Sequence, residues 1–172
     1  MQLLATFFQI FLAIIFFTSG VEKLLNFKSH LRNTAMYKII PQRITPFFLK
    51  IDIFFQLLIS VLLLFGYYLK LALLLSFLFL VVYTVAIIVN LLRDRKISCS
   101  CGGILGNHEI SRKLVFRNLF FLGIVPFLYL HAERLELNLI SFILFVNAIN
   151  ISLLIYMFNT ISNFKKGVWE YE

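Results

Sequence analysis

Cys99-Ser100-Cys101-Gly102-Gly103 holds the only two cysteines of the chain and lies in a basic stretch between long apolar segments. Residues i and i+2 of an extended strand hold their Cα atoms roughly 6.5 to 7 Å apart, at the upper edge of what a disulfide spans, so the loop must tighten to close a ring. Gly102 and Gly103 permit the dihedrals that tightening needs. A small strained ring is more reducible than a relaxed bridge and staples almost no chain, which suits the pair to thiol–disulfide exchange rather than to structure. Arg95, Lys96 and His108 nearby favour the thiolate, the reactive form. Two other uses compete: inert cysteines, and a metal site. Cys99, Cys101 and His108 make three of the four ligands a structural zinc wants, and neither His30 nor His131 has a spacing that nominates it as the fourth, so no metal is expected. No cofactor site is evident. A membrane oxidant such as a quinone, held among the Phe-rich helices, is the candidate for recharging the pair.

The elements that must position this loop are membrane spans. The chain has 172 residues, is 61% hydrophobic and only 14% charged, where a soluble domain would carry roughly 25% charged residues. Its mean hydropathy is +0.94. These values predict an all-α, polytopic membrane bundle in a single integral membrane domain, 1–172, located in the cell membrane as a multi-pass protein. The formal charge of +8 comes from basic residues scattered between apolar runs. They form no compact array that could track a phosphate backbone, which excludes nucleic acid as a partner; lipid headgroups are the expected counter-charge. Residues 2 to 21 lack a basic start and a small-residue cleavage site, so the reading is a retained span and not a signal peptide.

Uncharged runs near the 20 or so residues a bilayer core requires fall at 3–22, 47–66, 71–92, 114–131 and 137–160. The expectation is therefore a four-helix core with a fifth transmembrane helix over 137–160. Pro126 should kink the fourth span. Between the first two spans, Phe27, Leu31, Ala35 and Ile39 recur every four residues, which predicts an interfacial helix over 27–40, broken by Pro41 and Pro46.

Connectivity brings the end of span one, the start of span two, the end of span three and the start of span four to one membrane face. That face collects Gly20, Lys23, Asp52, Asn90, the cysteine loop, His108, Arg117 and Asn118. Lys23, Asp52 and Arg117 lie near span ends, where snorkelling to headgroups is one reading and a buried network the other. Asp52 sits among Phe47, Phe48, Ile51, Ile53, Phe54 and Phe55, and a carboxylate there needs Lys23 or Arg117 as its partner. Asn90 and Asn118 could complete the network by hydrogen bonds across helices, and Gly20 would let a neighbouring helix approach closely.

In order and spacing, Thr18-Ser19-Gly20-Val21-Glu22-Lys23, Asp52, Val89-Asn90-Leu91-Leu92-Arg93-Asp94-Arg95, Cys99-Ser100-Cys101-Gly102-Gly103 and Val115-Phe116-Arg117-Asn118 resemble the methylamine utilisation protein MauE family, within the DoxX-like group. The resemblance covers roughly residues 5 to 130 and departs at Asp52, where glutamate is usual. It implies a role in maturing methylamine dehydrogenase, a disulfide-rich client, beside a thioredoxin-like partner, with the family's Cys-x-Cys loop mapping onto Cys99 and Cys101.

Orientation divides the arguments. Basic residues crowd the cysteine side, while only Lys70 and Arg134 face the other way, and the positive-inside rule then makes that side cytoplasmic, where thiols stay reduced. Disulfide donation requires the outer face. Two rival functions stand beside thiol exchange: a non-catalytic membrane assembly factor or chaperone, and a small transporter. The transporter is disfavoured by five spans without an inverted repeat.

Overall fold

The computed structural model describes residues 2–38, 41–66, 68–93, 112–131, 143, 145–154 and 157. Among them every regular element is helical. In hydrocarbon a backbone must satisfy its own polar groups, and a long run of Leu, Ile, Val and Phe can do so only as a helix. Four such runs become α1 (Gln2–Leu25), α3 (Thr45–Phe65), α4 (Leu69–Leu92) and α5 (Arg112–His131), with the short α2 (Phe27–Met36) between the first two. Each of the four is long and apolar enough to cross a membrane, their mean hydropathies lying between 1.6 and 2.8. The chain is an all-α polytopic membrane bundle.

Local chemistry sets the ends. Pro46 does not break a helix; it sits in the first turn of α3, where its missing N–H leaves no intrahelical bond unmade. The Thr45 hydroxyl donates to the Pro41 carbonyl at 3.1 Å. At the other end Gly66 adopts φ 66°, the left-handed conformation that closes a helix at least cost in glycine, and Tyr68 (φ 48°) repeats it as α4 begins. α3 and α4 thereby form a tight hairpin. α5 continues as helix through Pro126.

The helices close a ring in the order α1, α3, α4, α5, back to α1. Neighbours run antiparallel. Lys23 and Asp52 meet near one end of the α1–α3 pair while Gln9 and Leu63 meet near the other. In α4 and α5, Ile87 packs with Leu114, and Lys70 lies over the Tyr129 ring at the opposite end. The core that fills the ring is built from Leu12, Phe16, Ile59, Leu63, Leu73, Phe121, Val125 and Leu128, with Ala5, Ala13 and Ala72 where backbones come close. Outward-facing Phe47, Phe54, Phe65, Phe116 and Phe120 are exposed and meet lipid tails. Alanines at three of the core positions are the small residues expected where lipid offers no hydrophobic drive for helix association and packing must supply it.

α2 is helical, as its spacing predicts, and runs to Met36. His30 is its buried residue, while Phe27, Leu31 and Ala35 of the apolar stripe are half-buried, as are Asn33 and Thr34. Within the expected fifth span the described residues include one ten-residue apolar helix, Phe145–Leu154, which buries Ala148 and Ser152.

Candidate functional site

Along α1, Ala5, Gln9, Leu12, Ala13, Phe16, Ser19, Gly20 and Lys23 recur at three- and four-residue steps and form one buried stripe. Gly20 makes the last turn of that stripe possible. A Cβ there would sit 2.9 Å from Leu57 Cδ2, so any larger residue would require the Leu57 side chain to move. The approach carries Asp52 under the end of α1, where Lys23 Nζ donates to Asp52 Oδ2 at 2.7 Å. Lys23 is 1% exposed and Asp52 5%. This excludes snorkelling for Lys23, and it selects Lys23 over Arg117 as the partner the carboxylate requires.

A third group closes the pair into a ring. Tyr83, from α4, donates its hydroxyl proton to Asp52 Oδ1 at 2.5 Å and accepts from Lys23 Nζ at 2.6 Å. Gln56, one turn beyond Asp52 on the same face of α3, donates a further bond from Nε2 to the Tyr83 oxygen at 3.2 Å. The ammonium also lies 4.7 Å from the centroid of the Tyr83 ring, within cation–π range. Both carboxylate oxygens and the phenol are thus satisfied. Of the three N–H groups of Lys23, two are used, and the third has no acceptor among the described residues.

α2 covers this cluster from the polar end. His30 is buried, with Nε2 3.9 Å from Glu22 Oε1 and no partner at Nδ1. Burial, and then the nearby Lys23 ammonium, push its pKa below the usual histidine value, against a smaller upward pull from Asp52, so the ring is neutral near pH 7.

The other sequence-predicted residues divide. Asn118 is buried on α5 and lines a small cavity of about 40 Å³ with Ser19, Gln56 and Tyr83, beside the cluster. Asn90 is buried too, but its amide donates to the Ala86 carbonyl of its own helix at 2.9 Å, and it joins no bond across helices to Asp52. Arg117 makes no ion pair with Asp52, and its Nε is buried without a partner. Cys99, Cys101 and His108 lie outside the described residues. Tyr83, Gln56 and His30 are members that the sequence reading passed over. Gln56 carried a signal, four residues from Asp52 in a helix; Tyr83 carried only its rarity as a polar group in the middle of a long uncharged run.

Next to the cluster, α3 and α4 part to leave a cleft of about 410 Å³. Phe48, Ile51 and Phe55 line it from α3, and Leu78, Phe79 and Val82 from α4, with Thr34 of α2 and Tyr37 just past its end above and Lys23, Asp52 and Tyr83 at its inner end. Leu78 and Val82 are exposed on its rim, so it opens sideways toward lipid.

Fold and site together define a polytopic helical membrane protein built around a buried, three-helix Lys–Asp–Tyr cluster. The chain belongs to the MauE family: the model of that family, described as methylamine utilisation protein MauE, matches residues 1–131. This span takes in the four long apolar helices among the described residues and the connection bearing the cysteines. Searches of curated proteins and of solved structures find no match.

Proposed function

We propose that this chain is a cell-membrane factor of methylamine utilisation that assists maturation of a disulfide-bearing partner by thiol–disulfide exchange, with Cys99 and Cys101 as the redox pair. The observation that carries the reading is the isolation of Cys99-Ser100-Cys101 within a chain of this family: no other cysteine competes for either sulfur. The connection that bears them runs from Arg93 to Arg112, between the ends of α4 and α5 that lie nearest Lys23 and Asp52. The family's association with a thioredoxin-like partner and a disulfide-rich client, methylamine dehydrogenase, supports the same reading.

In the donating direction a client thiolate attacks one sulfur of the Cys99–Cys101 disulfide. A mixed disulfide forms, and the other cysteine leaves as thiolate. A second client thiolate then displaces the first sulfur, so the client gains a disulfide and the pair holds both electrons as a dithiol. The oxidant that restores the pair is a membrane quinone: two S–H bonds are lost, one S–S bond forms, and the quinone takes two electrons and two protons to become the quinol.

The test is trapping. A Cys101→Ala variant should hold a partner in a mixed disulfide through Cys99, or the Cys99→Ala variant through Cys101, resolved by non-reducing gels and mass spectrometry. If neither captures a partner, and the double serine variant matures its client as well as the parent, the chain acts as a non-catalytic assembly factor.

A further inference from the structure

We infer that the cleft between α3 and α4 is the binding site of an uncharged membrane quinone, its ring carbonyl accepting the third N–H of Lys23. The inference deepens the reading above, since that reading needs an oxidant, and gives the oxidant a place that does not depend on the cysteine loop.

Four features of the cleft select the ligand. Its mouth lies between α3 and α4 with Leu78 and Val82 on the rim, so a ligand enters from the bilayer and must be lipid-soluble. The walls are aliphatic and aromatic, with Phe48, Phe55, Phe79 and Tyr83 offering faces or edges to a flat ring. The inner end is polar yet electrically balanced, because the Lys23 ammonium is already paired with Asp52 at 2.7 Å. A phosphate headgroup would find there no cation free of a carboxylate, and would have to shed its water in contact with Asp52. A carbonyl loses little on leaving water and gains a charge-assisted bond from a donor that is 1% exposed and one acceptor short. Size agrees: about 410 Å³ is within the range of small-molecule sites and suits one substituted ring with the start of its tail, not a diacyl lipid.

The polar end also suits reduction. Tyr83 holds its proton against Asp52 Oδ1 while Lys23 holds protons on Nζ, so a ring carbonyl bonded to Lys23 has donors beside the oxygen that must become a hydroxyl. Lys23 is here a positioning residue for the ring.

The experiment uses the full chain in nanodiscs free of quinone, with a decyl-tailed benzoquinone carrying a photoreactive azide as probe. Labelling should map to peptides of α3 and α4 and be displaced by the unmodified quinone but not by decylbenzene, which has the same tail and no carbonyl. Ala86→Phe, or Val82→Trp should the first not fold, fills the wall without touching the polar cluster and should weaken binding at least about tenfold. Lys23→Met with Asp52→Leu, which strands no charge, should weaken it by a similar factor through loss of the donor. Equal displacement by decylbenzene, or full binding by the cleft-filling variant, would overturn the proposal and leave a lipid groove. Cys99→Ser with Cys101→Ser should bind the probe as the parent does. Quinone binding without any trapped partner therefore sinks the thiol reading alone, while trapping without quinone binding sinks the cleft alone.

Discussion

At the end of the bundle where α1 finishes, buried polar side chains from three helices bond to one another; toward the opposite end they bond to backbone carbonyls. Lys23, Asp52, Gln56 and Tyr83 belong to the first kind. Ser60 to Leu57, Ser76 to Leu73 and Gln9 to Leu63 belong to the second, each at 2.8 Å. The difference lies in what is left behind when one member is removed. A serine bonded to a carbonyl of its own helix leaves nothing stranded, because that carbonyl keeps its helical partner. Removing Asp52 leaves a buried ammonium in an apolar setting. A serine bonded within its own helix adds little to the order of the helices; the side-chain cluster ties three of them to one geometry.

The comparison is tested most severely at Asp52. Asp52→Ala should cost about 3–5 kcal/mol of stability, measured by unfolding in mixed detergent micelles, while Lys23→Met combined with Asp52→Leu should recover most of that loss. Recovery would place the charge pair's worth in specificity; no recovery would mean that the ring of bonds itself holds the fold. Gly20→Ala comes next, at about 1–3 kcal/mol, because the new methyl group must displace Leu57; adding Leu57→Ala should relieve it. At the quiet end, Gln9→Leu should cost about 0.6 kcal/mol, the usual size of an interhelical hydrogen bond in a membrane. Ser60→Ala and Ser76→Ala should each change stability by less than about 0.5 kcal/mol. A serine variant as damaging as Asp52→Ala would erase the distinction between the two ends.

Much of this was legible in the sequence because lipid simplifies it. Four of the five uncharged runs became spans within a few residues of the expected bounds, and the need of Asp52 for a cation followed from its phenylalanine neighbours alone. Which cation was not legible: Lys23 and Arg117 both lie about a turn inside a helix end, and only the approach at Gly20 decides between them. Tyr83 was missed because tyrosine in a hydrophobic run reads as an interfacial or lipid-facing residue, and its role depends on two helices distant in sequence. His30 was weighed only as a metal ligand and otherwise passed over, because apolar spacing alone phased α2. What lies beneath a short helix, here a buried ion pair and Glu22, sets its inward face as much as its own apolar residues do.

Gln9 has one more consequence. Its bond to the Leu63 carbonyl and the Lys23–Asp52 contact fasten α1 to α3 at two points about 21 Å apart along the helix axis, at 1.5 Å of rise per residue. Two rods pinned twice can neither slide by a turn nor rotate against each other without breaking both pins together. The α1–α3 pair is therefore the fixed frame of the molecule, and any widening of the cleft has to come from the other side. Across the cleft, α4 is joined to that frame at the polar end by the Tyr83 hydroxyl, which bonds to both Lys23 and Asp52. That hydroxyl closes the inner end of the cleft, and whatever enters past Leu78 and Val82 meets it last.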